Sequence, residues 1–550
     1  MRKLLSASIT LLLSACLEPA STAPGAPEVW PEYNEVEREY VEPRLTEIAE
    51  TPEPEGAVLF VGDSITQGAD LASLFPGQAV SNHGIAADRT QGVLHRMDQI
   101  TRGTPSKIFL MIGTNDLHQD GAEPSRIASR VGTIIDTLRD REPQAELHVV
   151  GILPRAASMA EAVAEANMGI RDEAERAGVT YIDLTSVMAD GDGKIRDELT
   201  YDDLHLSKEG YRVWADSLRP CVEGDCTGGY WSRVRSIGRS AERDGALTFG
   251  WPGSGIAFVA DGDAVVRLRD SGLNQFDFTV DGETTLYQPD EGISELRIEG
   301  RGEPVEVRLT RRSESYASSL TDVLSVEGDV KPLEHDGPRI LFIGDSITAG
   351  FGTIGADETC PYSIETSSAR DAYALMAAEE LGAEAHLVAI SGRGVVYNWD
   401  DNPEPHMLGH FDLALPDTLE RWDHSQWTPD AVVVALGTND FGTIDPGTAF
   451  AGNYATLLNR IATEYPEAKV FAVTGPLLTD EKDERMEAGI RDAISRVGKR
   501  GMDVTLVETD LADSGHVWGC NYHAGPDSNR RMAKELLEAI TAETGWSTRG

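Results

Sequence analysis

The sequence predicts an α/β protein in which two three-layer α/β/α domains with parallel sheets are separated by an antiparallel β-sandwich. Three observations support this prediction. One turn, Gly-Asp-Ser-Ile-Thr, occurs at residues 62–66 and again at 344–348. Strand-like and helix-like segments alternate around each copy, as in α/β folds. Between the two regions, the pattern changes to the apolar/polar alternation of antiparallel strands.

Each copy of the turn follows a run of four apolar residues, 58–61 and 340–343. Such a run, closed by glycine and a small polar cluster, is typical of a buried parallel strand that ends in a loop. Ser64 and Ser346 are therefore expected at the carboxyl ends of strands, where open α/β sheets bind ligands. The two copies are too far apart for a solenoid repeat, so a duplicated domain is predicted.

The first α/β domain is predicted to span residues 56–220. Residues 108–112 and 147–152 are expected to form strands, and residues 127–141 and 160–177 have the apolar spacing of amphipathic helices. This alternation predicts a parallel sheet that is covered on both faces.

The β-sandwich is predicted for residues 227–332. Its apolar/polar alternation is clearest at residues 264–269, 276–280 and 305–309, and Asp-Gly pairs at 261–262 and 281–282 supply turn signals between such runs.

The second α/β domain is predicted for residues 337–546. Residues 431–436 and 469–473 are expected to be strands, and residues 370–381 and 528–543 helices.

The N-terminus has the features of a targeting segment. Arg2 and Lys3 precede the apolar stretch 4–13, which is too short for a permanent transmembrane helix. The following Leu-Ser-Ala-Cys, ending at Cys16, resembles the lipobox of bacterial lipoproteins. The resemblance implies a signal peptide at 1–15 and lipid attachment to Cys16. The residues that follow are rich in Pro, Glu and Ala, and this composition predicts an acidic, Pro-rich tether at 16–55. An ordinary signal peptide is the alternative, and either implies export to the periplasm or cell surface.

The charge balance limits the classes of partner. The chain has 92 acidic and 48 basic residues, a formal net charge of −44. Nucleic acid and anionic membrane surfaces are excluded as partners, because each phosphate contact would be opposed. A strongly solvated surface or the attraction of a cationic substrate remain as explanations.

The remaining cysteines suggest disulfides, which fits an exported protein. With Cys16 assigned to lipid, Cys221 and Cys226 are expected to close a short loop, and Cys360 to pair with Cys520. Other connectivities remain open. No cysteine or histidine spacing indicates a structural zinc site, and no metal or organic cofactor is expected.

Ester hydrolysis needs a nucleophile, a base that takes its proton, and donors for the developing oxyanion. Residues 62–66, 82–88, 113–116 and 202–205 supply such groups in order, and together they resemble the four sequence blocks of the SGNH (GDSL) hydrolase family. The resemblance implies that Ser64 is the nucleophile, His205 the base and Asp202 the carboxylate that orients it. The oxyanion donors would be the Ser64 amide, an amide near Ala87 and the Asn115 side chain.

Ala87 departs from the family pattern, which usually has glycine here. The backbone N–H survives the change, so the oxyanion hole is expected to persist with a narrower acyl pocket.

The second domain repeats these blocks at 344–348, 390–394, 437–440 and 519–523. They supply Ser346 as nucleophile, Gly392 and Asn439 as oxyanion donors, and His523 as base. Three residues before His523, where the family has aspartate, this chain has Cys520.

This arrangement, preceded by a β-sandwich, resembles carbohydrate esterase family 2 over about 230–546. Those proteins join a jelly-roll domain to an SGNH domain and remove acetyl groups from plant polysaccharides. The resemblance implies a Ser346–His523 dyad in which a backbone carbonyl replaces the carboxylate. Asp510 or Asp513 are alternative partners for the histidine.

Three tryptophans are candidates for lining a sugar-binding cleft or for buried packing: Trp399, Trp427 and Trp518.

The motifs together predict an exported, lipid-anchored serine esterase that removes acetyl groups from a polysaccharide of the xylan or mannan type through an acyl-enzyme. One alternative is a lipid, peptidoglycan or thioester hydrolase, or an acyl transferase, with the same chemistry. Another is a surface glycan-binding protein in which one unit is inactive. The serine, asparagine and histidine present in both units favour an enzyme.

Overall fold

The computed structural model describes residues 33–549 except 119–120, 191, 225–229, 244, 315–318, 405, 417, 476, 479 and 510–517. Within these residues it contains two five-stranded parallel sheets with helices, one on each side of a pair of antiparallel sheets in chain order. The predicted α/β fold class with an intervening sandwich is confirmed.

The first α/β unit has the strand order β2-β1-β3-β4-β5, with all neighbours parallel. Its strands are β1 (Val58–Gly62), β2 (Val80–Gly84), β3 (Lys107–Met111), β4 (Glu146–Val150) and β5 (Thr180–Ile182). Its helices are Ser64–Gln67, Leu71–Leu74, Thr90–His95, Met97–Ile100, Thr114–His118, Pro124–Arg141, Ala160–Ala177, Thr185–Met188 and Lys208–Glu223. β1 is fully buried, as its apolar run predicts.

The sandwich has two antiparallel sheets. Its strands are β6 (Arg235–Ile237), β7 (Ser240–Arg243), β8 (Ala246–Phe249), β9 (Gly255–Ala260), β10 (Ala264–Ser271), β11 (Phe276–Val280), β12 (Glu283–Tyr287), β13 (Glu291–Ile298), β14 (Val305–Arg311), β15 (Thr321–Glu327) and β16 (Val330–Pro332). One sheet has the order β13-β10-β15-β8-β7 and the other β12-β11-β14-β9-β16, with β6 also on β9.

The second α/β unit repeats the order of the first, β18-β17-β19-β20-β21. Its strands are β17 (Arg339–Gly344), β18 (Glu384–Ala389), β19 (Ala431–Ala435), β20 (Lys469–Val473) and β21 (Val504–Val507). Its helices are Ser346–Ala349, Tyr373–Leu381, Met407–His410, Thr448–Glu464, Asp480–Gly498 and Pro526–Thr544.

The sandwich contacts both units through buried side chains. Arg239, which is 1% exposed, donates to the Phe411 and Leu413 carbonyls at 2.7 and 2.9 Å. On the other side, Arg196 of the first unit pairs with Glu327 of the sandwich at 3.2 Å. The sandwich is therefore part of the framework that holds the second unit's loops.

Part of the predicted tether is a helix instead. Glu35–Glu50 is helical and buries Val41, Leu45 and Ile48. Asn34 and Glu37 form a reciprocal capping box that starts the helix. The tether prediction is therefore wrong for residues 35–50, and residues 16–32 lie outside the described residues. None of the described helices is both long and apolar enough to cross a membrane.

Candidate active sites

Each candidate nucleophile is the first residue of a short helix that directly follows a central strand. Ser64 follows β1 and Ser346 follows β17. The strand order reverses beside these strands, and ligands of open α/β sheets bind at that point.

The aspartate before each serine caps the short helix. Asp63 Oδ1 accepts from the Ile65 N–H at 2.9 Å, and Asp345 Oδ1 accepts from the Ile347 N–H at 3.1 Å. Burial raises the pKa of both carboxyl groups to about 7. These aspartates shape the turn that presents the serine, and neither is hydrogen-bonded to the histidine.

In the first unit, a serine, a histidine and an aspartate form a connected series of hydrogen bonds. Ser64 Oγ lies 3.0 Å from His205 Nε2, and His205 Nδ1 lies 2.7 Å from Asp202 Oδ2. The other Asp202 oxygen accepts the backbone N–H of His205 at 2.7 Å. Burial opposes ionisation of Asp202, but the hydrogen bonds from His205 outweigh it and lower the pKa of the carboxyl. The ionised carboxylate can thus orient the ring and stabilise an imidazolium.

Of the predicted oxyanion donors of the first unit, the Ala87 amide lies on the loop after β2, and the Asn115 side chain lies in the short helix after β3. Ala87 has a left-handed backbone with φ of 60°, which explains why glycine is usual at this position. Asn115 Nδ2 donates to the Asp88 carbonyl at 3.0 Å, which fixes the amide beside that loop. β2 begins at Val80, so the first residues of the block from Asn82 lie within the strand.

The second unit has a serine–histidine pair with a different third group. Ser346 Oγ lies 2.8 Å from His523 Nε2, and His523 Nδ1 lies 2.9 Å from the backbone oxygen of Asn521. A carbonyl accepts only, so Nδ1 carries the proton and Nε2 is left to accept from the serine. Burial lowers the pKa of His523, which favours the neutral base.

The turn that presents the Asn521 carbonyl has an unusual backbone. Asn521 and Tyr522 both have positive φ, 53° and 58°. A disulfide joins Cys520 to Cys360, and the Asn521 N–H donates to the Cys360 carbonyl at 3.0 Å. The loop after the nucleophile thus holds the turn that carries the histidine. This disulfide is the pairing expected from the sequence.

The oxyanion loop of the second unit contains glycine at the left-handed position. Gly392 has φ of 78°, and a Cβ there would lie 2.2 Å from Cδ1 of Trp399. Asn439 Nδ2 lies 3.0 Å from the Arg393 carbonyl and 3.1 Å from Asp345 Oδ2. The Asn439 amide nitrogen therefore has two protein acceptors within hydrogen-bond distance, and its role as an oxyanion donor stays a prediction.

Two residues that brace the oxyanion loops were missed by the sequence analysis. Gln67 accepts from the Ala86 N–H at 2.6 Å in the first unit. Glu314 accepts from the Ser391 N–H at 2.6 Å in the second. Glu314 lies outside the four sequence blocks, so no sequence signal pointed to it. Gln67 also lies outside the blocks, and its only signal was its position three residues after Ser64.

The N-terminal helix also supports the first oxyanion loop. The Tyr33 hydroxyl donates to Asp88 at 2.5 Å, and Arg89 pairs with Glu37 at 3.0 Å. Asp88 is fully buried and also accepts from Arg96 at 2.8 Å.

The candidate sugar-contacting tryptophans occupy different environments. Trp399 is 67% exposed and packs beside Gly392, whereas Trp427 is buried and donates to Glu384 at 2.7 Å. Trp518 contacts the exposed Tyr522 edge-on. Trp427 is therefore a packing residue, and Trp399 and Trp518 remain candidates.

Several predicted residues lie outside the described residues: Cys16, Cys226, Asp510 and Asp513. The Cys221–Cys226 disulfide stays a prediction. Among the residues that are described, no cluster of three histidine, cysteine or acidic side chains is arranged to hold a metal ion.

Sequence comparison places both units in one family. The profile of the GDSL-like Lipase/Acylhydrolase family matches residues 60–213 and 342–531. Cellulase/esterase CelE of Acetivibrio thermocellus is 29% identical over 311 residues, which are 54% of this chain and 38% of that protein. An acetylxylan esterase / glucomannan deacetylase of Cellvibrio japonicus is 26% identical over 57% of this chain and 89% of its own length.

Solved structures are similar to more than half of the chain. A family two carbohydrate esterase from Clostridium thermocellum, in complex with cellohexaose, has a TM-score of 0.53 and 26% identity, covering 57% of this chain and 99% of that one. A Corynascus family 2 esterase with a carbohydrate binding domain has a TM-score of 0.52 and 28% identity, covering 57% of this chain and all of its own. With both α/β units matched, this chain belongs to the GDSL-like lipase/acylhydrolase family.

Proposed function

We propose that the protein is a serine esterase that removes O-acetyl groups from a polysaccharide of the xylan or mannan type, and that both α/β units react. The observation that carries the proposal is the pair of serine–histidine hydrogen bonds, 3.0 Å in the first unit and 2.8 Å in the second, each at the carboxyl edge of a parallel sheet.

The chemistry follows from the geometry of each pair. Ser346 Oγ attacks the acetyl carbonyl carbon while His523 Nε2 takes the hydroxyl proton. The oxyanion is stabilised by the backbone N–H groups of Ser346 and Gly392. Collapse expels the sugar oxygen, which takes the proton from the imidazole and leaves an acetyl-serine. Water then repeats the sequence, releases acetate and restores the hydroxyl. Ser64 and His205 perform the same steps in the first unit.

The relatives support a carbohydrate ester as the substrate class. One relative is named a cellulase/esterase, and another is named an acetylxylan esterase / glucomannan deacetylase. Beside the second site, Trp399 and Tyr522 are 67% and 60% exposed, and exposed aromatic rings are suited to stacking on a sugar.

Acetate release from acetylated xylan tests the proposal. The wild type, Ser64→Ala, Ser346→Ala and the double variant are compared under one set of conditions. Each single variant is expected to lose part of the release and the double variant nearly all of it. Undiminished release from the double variant would overturn the proposal. Activity confined to phospholipid, peptidoglycan or thioester substrates, or binding of glycan without turnover, would replace it with one of the alternative functions.

We also propose that the protein is exported and lipid-anchored through Cys16, on the basis of its N-terminal sequence. Incorporation of radiolabelled palmitate into the wild type and its loss in Cys16→Ser would support this. Equal labelling of both proteins would contradict it.

A further inference from the structure

One carboxylate from the sandwich holds the oxyanion loop of the second unit. The Ser391 N–H donates to Glu314 Oε2 at 2.6 Å, and the Ser391 hydroxyl donates to Glu314 Oε1. Glu314 is only 6% exposed. Ser391 directly precedes Gly392, whose backbone N–H is the oxyanion donor. The carboxylate thus fixes both polar groups of the residue next to that donor.

Glu314 lies just beyond the end of β14, on a well-supported segment. The Ala369 N–H of the second unit donates to the Arg312 carbonyl at 2.7 Å. Arg311, which is 1% exposed, donates to the Ser313 carbonyl and to Thr321 Oγ1, both at 3.0 Å. These bonds tie the end of the strand to the second unit on one side and to the sandwich on the other.

In the first unit, the equivalent backbone N–H of the oxyanion loop also donates to a side chain, but that side chain comes from a different element. Strand register pairs Gly62 with Gly84 in the first unit and Gly344 with Ala389 in the second. Counting two residues beyond the paired ends makes Ala86 equivalent to Ser391. The Ala86 N–H donates to Oε1 of Gln67 at 2.6 Å.

The second unit cannot form this contact from its own helix. Gln67 lies three residues after Ser64, and the residue three after Ser346 is Ala349, which has no polar group. In the first unit, the acceptor comes from the helix that begins with the nucleophile. In the second unit, it comes from the sandwich.

We propose that Glu314 is a positioning residue for the oxyanion hole of the second site, so that this site is complete only with the sandwich in place. The proposal rests on the esterase chemistry proposed above. Glu314 would act through the Gly392 N–H, which together with the Ser346 N–H binds the oxyanion in that chemistry. Gly392 lacks a Cβ, so its peptide group rotates more easily when Ser391 is released.

The test uses the full chain with Ser64→Ala, so that only Ser346 reacts, and p-nitrophenyl acetate as the probe. Loss of one oxyanion donor costs about 10²–10³-fold in kcat, so a misplaced donor in Glu314→Ala is expected to lower kcat about 10–100-fold with KM within threefold. Glu314→Gln keeps an acceptor for the Ser391 N–H and is expected to restore most of kcat. The matched control is Glu306→Ala, an exposed glutamate of β14 that pairs only within the sandwich.

Four results would overturn the proposal: an unchanged kcat in folded Glu314→Ala, an equal loss in Glu306→Ala, an equal loss in Glu314→Gln, or no Ser346-dependent hydrolysis. If Glu314→Ala does not fold, Glu314→Asp replaces it, because its carboxylate is one methylene short of Ser391. A kcat drop of about tenfold then supports the proposal and an unchanged kcat overturns it. Acetate release from xylan is measured in parallel, so failure on xylan with intact hydrolysis of the probe concerns the substrate and not Glu314.

Discussion

The backbone oxygen of Asn521 lies 2.9 Å from Nδ1 of His523, so a neutral group orients the imidazole of the second site. The first site uses a carboxylate at 2.7 Å instead. Both partners select the tautomer that leaves Nε2 free to accept the serine proton, but only the carboxylate adds a negative charge beside the imidazolium. The two sites of this chain thus have the same serine–histidine pair, but a charged group orients the histidine in one site and a neutral group in the other.

Asp202→Asn is expected to lower kcat at the first site by about 10²–10⁴-fold, because an amide no longer fixes the tautomer or stabilises the imidazolium. The measurement is hydrolysis of p-nitrophenyl acetate by the Ser346→Ala protein with and without the second change. A loss smaller than threefold would show that Asp202 does not support His205.

Asn521→Gly is expected to retain kcat at the second site within about threefold. The contact uses the backbone oxygen, and glycine accepts the positive φ of 53°. Asn521→Val is expected to lower kcat tenfold or more, because a β-branched residue is strained at this backbone angle. Equal activity of the two variants in the Ser64→Ala background would contradict this reading.

The pH dependence of the second site follows from the burial of His523. Burial lowers the pKa of the imidazole below its usual 6.5, and the neutral ring is the base. The acid limb of kcat/KM in Ser64→Ala is therefore expected to have its midpoint below pH 6.5, with activity falling as the pH drops through that midpoint. A midpoint at or above pH 6.5 would contradict the assignment.

The two oxyanion loops are expected to respond differently to exchange of alanine and glycine. Ala87→Gly keeps the backbone donor and removes the cost of a left-handed alanine, so the first site should keep kcat within about threefold. Gly392→Ala places a Cβ 2.2 Å from Trp399 and should lower kcat at the second site tenfold or more. Ala87→Gly is measured in the Ser346→Ala protein and Gly392→Ala in the Ser64→Ala protein, with the same acetate ester. Equal effects of the two changes on kcat would contradict this prediction.

The sequence was sufficient to predict the central strands and the order of the blocks. β1 and β17 are runs of buried apolar residues, and their pattern is local. β2 has no comparable sequence signal, because this edge strand carries Ser81, Asn82 and His83 in place of an apolar run.

The helix at Glu35–Glu50 was missed because it is strongly acidic, contains Pro43 and has few apolar residues. Its capping box at Asn34 and Glu37 was the available signal. The sequence around Glu314 contains no comparable motif. Its partner Ser391 lies in another domain, and a contact of that range depends on how the sandwich docks.

Covalent labelling with a fluorophosphonate tests the central claim most directly, since phosphonylation requires an activated serine beside an oxyanion hole. Intact mass spectrometry is expected to show two adducts on the wild type, one on Ser64→Ala, one on Ser346→Ala and none on the double variant. Two adducts on the double variant, or none on the wild type, would contradict the account.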